Sequence, residues 1–174
     1  MRHVYITNGT GGCGKDTFAN FMKKLVYRTD KISSIDIIKN IAKECGWTGG
    51  KTEKDRKFLS DLKCLMTAYN DLPFKYLQTW MEIVPDDEYI RVVLIDIREP
   101  EEIERAKKEF NAKTVLIVND RVPHITTNMA DANVFNYEYD FVIENNGTLE
   151  EFEDTVKRFA EAEGLLNEQL ESAF

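Results

Sequence analysis

A glycine-rich segment near the start of the chain constrains its fold more than any other feature. It follows the apolar run Val4-Tyr5-Ile6, and residues 8–17 are Asn-Gly-Thr-Gly-Gly-Cys-Gly-Lys-Asp-Thr. Apolar residues then recur at helical spacing over residues 18–26, which predicts a strand, a glycine-rich turn and a helix. Gly9 and Lys15 delimit the pattern G-x-x-x-x-G-K. This is the local structure that a phosphate-binding loop requires.

Each part of this loop suits an anionic ligand. Glycines adopt backbone angles that are closed to other residues, so the loop can turn successive N–H groups toward a phosphate. The helix that follows adds unpaired N–H groups and its dipole. The ammonium of Lys15 is expected to reach the outer phosphates of a nucleotide. The predicted nucleotide-binding residues of the loop are Gly9, Thr10, Gly11, Gly12, Cys13, Gly14, Lys15, Asp16 and Thr17.

Asp16 occupies the position at which this loop usually carries Ser or Thr, whose hydroxyl binds the magnesium of the nucleotide. Thr17 is not a simple replacement, because neighbouring residues on a helix point about 100° apart. Magnesium prefers oxygen ligands and retains several waters. The carboxylate of Asp16 is therefore a candidate metal ligand, either directly or through water.

A second strong signal is the apolar, β-branched run over residues 90–97, which is typical of a strand buried on both faces of a parallel sheet. An acid at the tip of such a strand is the expected partner of a phosphate loop, because the tip lies beside the magnesium. Asp96 has this position, and Arg98 projects to the same side of an extended chain. We predict a metal-side carboxylate and a phosphate-side guanidinium. An ordinary ion pair at the strand end is the alternative.

Apolar runs and helical patterns alternate along the rest of the chain. Strands are expected around residues 4–6, 31–35, 90–96, 114–118 and 140–143, with helices between them. This order predicts a three-layer α/β fold with a mostly parallel five-stranded sheet flanked by helices, in one domain over residues 1–174. Residues 119–139 are polar, lack a clear period and are long for a connection, so we expect a lid that contains Arg121 and His124.

Candidates for binding a second substrate lie after the second predicted strand. That turn is expected at the C-terminal edge of the sheet, where open α/β proteins bind ligands. Ser34 and Asp36 are candidate contacts, with helix capping as the alternative. Arg56 belongs to a basic cluster at a helix start and is a candidate phosphate clamp. A solvated charged face is the alternative for that cluster.

Composition narrows the possible partners and location. The net charge of −8 argues against a nucleic-acid polymer, which requires a basic surface, but not against a small anion bound in a local cationic pocket. No apolar run approaches the roughly 20 residues of a membrane span. The absence of a secretory signal and three cysteines without metal-ligand spacing favour a cytoplasmic location. The tail, with Leu170 and Phe174, is expected to pack back or to support a homodimer.

The order of these features resembles the deoxynucleoside monophosphate kinases of the phage type, which are adenylate-kinase-like P-loop kinases. The shared elements are Gly14-Lys15-Asp16-Thr17, the pair Asp96 and Arg98, His124-Ile125-Thr126, and residues 145–151. The aspartate after the loop lysine is the most distinctive of them, and it also occurs in animal phosphomevalonate kinases. This chain is shorter through the middle, and residues 35–37 are Ile-Asp-Ile where the family has a Gly-Pro turn. Both departures fall in the acceptor region.

The resemblance implies a P-loop NTPase fold, ATP with magnesium as donor and a nucleoside monophosphate as acceptor. It places residues 145–147, and with them Asn146, near the adenine, and it places Ser34, Asp36 and Arg56 near the acceptor. The implied catalytic residues are Lys15, Asp96, Arg98 and Arg121, with Asp16 and Asp96 as metal ligands. Two alternatives stay open. One is a kinase of another small metabolite (a nucleoside, phosphomevalonate or a pantetheine precursor), and the other is a nucleotide-binding regulatory protein with little turnover.

Overall fold

Helices separate most of the strands along the chain, as the sequence predicts, and three of them lie between the second and third strands. The computed structural model describes residues 1–86, 89–122 and 134–166. Within these ranges the strands are β1 (Arg2–Asn8), β2 (Thr29–Ser33), β3 (Arg91–Asp96), β4 (Lys113–Val118) and β5 (Phe141–Glu144). The helices are α1 (Lys15–Leu25), α2 (Asp36–Glu44), α3 (Glu53–Asn70), α4 (Leu72–Ile83), α5 (Pro100–Phe110) and α6 (Leu149–Ala162).

The five strands form one parallel sheet in the order β2-β3-β1-β4-β5, which confirms the predicted fold class. In the register of the central pair, Thr7 of β1 lies opposite Asp96 of β3. On the other side of β1, Asn8 lies opposite Leu116 of β4. The carboxyl ends of parallel strands meet at one edge, so the loops that follow β1, β3 and β4 emerge close together.

Helices cover both faces of the central strands. On one face, Tyr5, Leu94 and Ile117 belong to a buried core with aromatic side chains of α1 and α6. On the other face, α5 contacts β1 and β4 through its buried side, which carries Ile103 and Ala106. Burial on both faces explains why the middle of each of these strands is a continuous apolar run, such as Val92–Ile95 in β3, rather than an alternation of apolar and polar residues.

The described chain forms two compact units. The first comprises Met1–Lys31 and the described residues that follow Pro85, and it contains the aromatic core. The second is Ile32–Pro85, in which α2, α3 and α4 pack against one another. Its buried side chains include Ile38, Ala42, Phe74, Leu77 and Met81. A single kinase domain over residues 1–174 stays a prediction.

Local sequence signals set most helix boundaries. Thr148 and Glu151 form a capping box at the start of α6, in which the Thr148 hydroxyl accepts from the Glu151 N–H at 3.2 Å. Thr52 and Asp55 form a second capping box at the start of α3. β2 differs from its prediction, since it begins and ends two residues earlier than residues 31–35. Its ends are fixed by pairing within the sheet, which the local apolar pattern does not report.

Several sequence-based expectations concern residues that the structure does not describe. His124 and most of the expected lid fall in residues 123–133, and Leu170 and Phe174 fall in residues 167–174. All of these lie outside the described residues. Within the described ranges, none of the helices is both long enough and apolar enough to cross a membrane.

The aromatic core of the first unit gives a test of the fold. Phe159 is 8% exposed, and its ring lies 5.3 Å from Tyr5, 5.8 Å from Phe18 and 5.2 Å from Phe141, measured between ring centroids. Phe159→Ala is expected to lower the free energy of unfolding by about 3–5 kcal/mol, because it leaves a cavity between three rings. Urea denaturation measures the loss. Tyr27→Ala is the matched control, since that ring is 89% exposed, and equal losses in both variants would contradict the packing.

Candidate active site

The glycine-rich loop between β1 and α1 adopts a backbone that only glycine accommodates at two decisive positions. Gly9 has φ 146°, and a Cβ there would lie 2.4 Å from the carbonyl oxygen of Ile117. Gly14 has φ 111°, and a Cβ there would lie 2.5 Å from Nδ2 of Asn145. The loop is therefore packed directly against β4 and against the segment that follows β5. The spacing of its glycines reflects these close approaches as well as the turn itself.

Lys15 begins α1 and extends its side chain back over the loop. Its Nζ donates to the carbonyl oxygens of Gly9 and Thr10, the latter at 3.0 Å. The ammonium thus lies against the loop that carries the candidate phosphate-binding N–H groups. A phosphate held by those amides would lie beside a positive charge that is already in place.

Cys13 fills the space beneath the loop. Its thiol is fully buried and lies 3.8 Å from Nζ of Lys15. Burial raises the pKa of the Cys13 thiol, although the positive charges of Lys15 and Arg98 act in the opposite direction. The thiol is therefore protonated at neutral pH. Cys13 therefore acts as a small packing residue rather than a reactive group.

The tip of β3 carries the second half of the site. The hydroxyl of Thr7 donates to Oδ1 of Asp96, as the strand register allows. The other oxygen of Asp96, Oδ2, lies 2.9 Å from Nζ of Lys31, and the same Nζ contacts Oδ1 of Asp16. A single ammonium therefore joins the two carboxylates that the sequence nominates as metal ligands. Burial alone would lower the pKa of Lys31, but its attraction to Asp96 and Asp16 outweighs burial, so its pKa is raised.

The donor set at this point fits magnesium. The carboxylates of Asp16 and Asp96 converge on one cation, and both supply the hard oxygen atoms that magnesium binds. Asp96 is mostly shielded, with a side chain 19% exposed, whereas Asp16 is 91% exposed. In the described ranges there is no cluster of three or more His, Cys, Asp or Glu side chains. Magnesium at this site would depend on phosphate oxygens and water for its remaining ligands.

Asn8 forms hydrogen bonds that join the glycine-rich loop to the segments beside it. Its Oδ1 accepts from the N–H of Gly9 at 2.8 Å, while its Nδ2 donates to the carbonyl of Arg98 at 3.2 Å and to the hydroxyl of Tyr139 at 2.7 Å. Burial raises the pKa of Tyr139 to about 12, so its phenol is protonated and donates to the carbonyl of Val134. Arg98 is thus fixed through its backbone next to the loop, and its charge acts on the thiol of Cys13.

The segment after β5 is tied to the phosphate loop. Nδ2 of Asn145 donates to the carbonyl of Cys13 at 2.9 Å. Asn146 exchanges two hydrogen bonds with Asp120, one through the Asp120 N–H at 2.9 Å and one to its carboxylate at 2.8 Å. These bonds place Asn146 beside the start of the segment that follows β4. The nearness of Asn146 to an adenine stays a prediction.

Arg121 braces the same segment. Its Nη2 donates to the carbonyl oxygens of Asn145 at 3.2 Å and Gly147 at 2.9 Å. The guanidinium therefore lies against the backbone of the loop after β5. Closure of Arg121 over a transferred phosphoryl group stays a prediction.

The three candidate acceptor contacts belong to the second unit. Ser34 is buried. The Asp36 carboxylate accepts from the N–H of Ser33 at 2.9 Å and pairs with Lys39 at 3.3 Å. The Nε of Arg56 donates to the carbonyl of Lys51 at 3.2 Å. Their roles toward an acceptor stay predictions.

Three of the residues that form this site, Thr7, Asn8 and Lys31, were not predicted from the sequence. Asn8 had a usable signal, because an amide side chain directly before a glycine turn is placed to bond local backbone groups. Thr7 and Lys31 had none. Lys31 is 15 residues from Asp16 and 65 from Asp96 along the chain, and only the fold brings the three together.

Substitution of Gly14 tests how closely the loop is packed. Gly14→Ala is expected to destabilise the protein by at least about 1 kcal/mol more than Gly46→Ala. Both glycines have positive φ, but a Cβ at Gly46 meets nothing within 4 Å, whereas one at Gly14 displaces Asn145. Gly14→Ala should also abolish nucleotide binding, measured by calorimetry. Equal destabilisation of the two variants would refute the contact with Asn145.

The similarity of this chain to known proteins is a similarity of fold. No protein-family model and no curated protein matches the chain. The dephospho-CoA kinase from Campylobacter jejuni matches with 16% identity and a TM-score of 0.56, over 95% of this chain and 98% of that one. The shikimate kinase from Aquifex aeolicus matches with 13% identity and a TM-score of 0.54, over 95% and 99%. TT1252 from Thermus thermophilus matches with 18% identity and a TM-score of 0.53, over 92% and 97%. The chain therefore shares the fold of these three structures.

Proposed function

We propose that this protein transfers the γ-phosphoryl group of ATP to the phosphate of a nucleoside monophosphate, ribo or deoxyribo. One observation carries the proposal: the phosphate loop with Lys15 and the carboxylates of Asp96 and Asp16 lie together at the carboxyl edge of the sheet. An anion-binding loop alone would suit many ligands. The adjoining carboxylates supply the cation-binding oxygens that a magnesium nucleotide requires.

The proposed role of each residue in the site follows from its charge. The loop N–H groups and the ammonium of Lys15 bind the outer phosphates and offset the charge that develops during transfer. Arg98, fixed next to the loop by Asn8, adds a guanidinium that matches phosphate oxygens. Asp16 and Asp96 would hold magnesium, which neutralises phosphate charge and orients the nucleotide when bound. We assign to Arg121 closure over the phosphoryl group and to Asn146 a contact near the adenine.

A phosphate acceptor would also explain how this site could transfer a phosphoryl group without a general base. A phosphate oxygen is already ionised at neutral pH, so transfer to it requires no general base. Ser34, Asp36 and Arg56 are proposed to bind the acceptor, with Arg56 as the phosphate clamp. The two carboxylates beside the loop, which could otherwise act as bases, are assigned to cation binding, and transfer to a phosphate does not require them as bases.

A kinase of another small metabolite is the second candidate. The solved structures with this fold include a dephospho-CoA kinase and a shikimate kinase, so the acceptor in this fold is not restricted to nucleoside monophosphates. If the acceptor were a hydroxyl, Asp36 would be the first candidate base.

The acceptor is identified by a panel assay with γ-labelled ATP and magnesium. The panel contains the common nucleoside monophosphates and deoxynucleoside monophosphates, nucleosides, phosphomevalonate, dephospho-CoA and shikimate. We expect transfer to at least one nucleoside monophosphate or deoxynucleoside monophosphate and none to the other acceptors. Transfer only to a nucleoside, phosphomevalonate, dephospho-CoA or shikimate would favour the second candidate. Slow hydrolysis without any acceptor would favour a regulatory nucleotide-binding protein instead.

Lys15→Ala is expected to reduce transfer by at least about 100-fold, because it removes a charge that stabilises the transferred group. The hydrogen bonds of its ammonium described above go to the loop and not to the aromatic core, so the thermal unfolding midpoint should change little. Initial rates of transfer and a thermal melt measure the two effects. Lys24→Ala is the control, since Lys24 pairs with Glu153 at 3.0 Å on the exposed surface. Unchanged turnover in Lys15→Ala would refute the proposed function.

A further inference from the structure

The position of Lys31 is not explained by the function proposed above. Its ammonium contacts Oδ1 of Asp16 and lies 2.9 Å from Oδ2 of Asp96. These are the two carboxylates assigned to magnesium. The side chain of Lys31 is 21% exposed, so a long cationic chain is largely withdrawn from water to reach this point.

This arrangement differs from an ordinary surface ion pair. Lys24 and Glu153, for example, pair with side chains 63% and 43% exposed, where solvent screens the attraction. At the tip of β3, Asp96 is 19% exposed and its second oxygen is already bonded to Thr7. Lys31 therefore acts on a carboxylate that is fixed in place, and its attraction is screened less.

The charges at this point explain why a cation is needed before any ligand binds. Asp16 and Asp96 together carry two negative charges beside a loop that binds polyphosphate. Without a cation they would repel the ligand and each other. With Lys31 the three groups carry a net charge of about −1, and Asp16, whose side chain is 91% exposed, is held by this contact toward the strand tip.

Building on the proposed function, we propose that Lys31 is a positioning residue that serves as the resident cation of the two carboxylates. It holds Asp16 beside Asp96 in the metal-free protein, and it gives up carboxylate oxygens when a magnesium nucleotide binds. Two consequences follow from competition for the same oxygens. A free divalent cation binds poorly because the ammonium already contacts them, and metal-free ATP is tolerated because one carboxylate charge is offset.

Binding of Mn²⁺ without nucleotide tests the first consequence, by electron paramagnetic resonance of the free ion. Lys31→Met is expected to bind Mn²⁺ about tenfold more tightly than the wild-type protein, because it removes the competing charge. Lys31→Arg keeps the charge and should restore wild-type affinity. Lys24→Met removes a lysine from an ion pair elsewhere in the same unit and should change nothing.

A second substitution tests whether the increased Mn²⁺ affinity arises at these carboxylates. Adding Asp96→Asn to Lys31→Met should abolish the increased Mn²⁺ affinity, since the metal then loses a carboxylate. A gain that survives in the double variant would mean that Mn²⁺ binds elsewhere, and it would overturn the proposal. If Lys31→Met does not fold, Lys31→Gln takes its place, because its amide still donates to the carboxylates but carries no charge.

Nucleotide binding tests the second consequence by calorimetry, with ATP in EDTA and with magnesium ATP. Lys31→Met should weaken the binding of metal-free ATP about tenfold and change that of magnesium ATP by less than about threefold. A variant with wild-type affinity for both Mn²⁺ and metal-free ATP would show that Lys31 is only a structural ion-pair partner. Wild-type protein that binds no magnesium ATP would refute the proposed function instead. The Mn²⁺ titration would still decide the role of Lys31.

Discussion

The parallel pairing of β1 with β3 is the interaction on which the site depends. Its register sets Thr7 opposite Asp96, so the chain leaves β1 into the phosphate loop at the point where β3 presents its terminal acid. The hydrogen bond from Thr7 to Asp96 fixes that acid in the plane of the strand tips. A slip of one residue would reverse the facing of every side chain in the strand and separate the two halves of the site.

Positive and negative groups around the loop are already matched without a ligand. The ammonium of Lys15 bonds loop carbonyls, and that of Lys31 bonds the carboxylates of Asp16 and Asp96. Under the proposed function, Lys15 would bind phosphate and Lys31 would yield its carboxylate partners to the metal. Ligand binding would then exchange internal partners for external ones. Such an exchange keeps buried polar groups satisfied in both states.

The segments after β4 and β5 hold the loop from the other side. Asn145 bonds the carbonyl of Cys13, and Arg121 bonds the carbonyls of Asn145 and Gly147. The loop backbone is consequently supported by two strands besides its own. Ile117 of β4 leaves no space for a side chain at Gly9, and Asn145 after β5 leaves none at Gly14. A rigid loop of this kind presents its N–H groups in a fixed orientation, which favours recognition of one anion geometry.

The sequence alone determined the features that depend on neighbouring residues: the strand–loop–helix order around Gly14, the capping box of Thr148, and the buried strand that ends at Asp96. These are local patterns, because a glycine spacing, a cap or an apolar run acts over a few residues. Only the tertiary structure decided that Lys31 joins Asp16 to Asp96, and that β2 begins two residues before its predicted start. Contacts between residues far apart in the chain, and strand ends fixed by pairing, follow from how the sheet assembles, which no local pattern encodes.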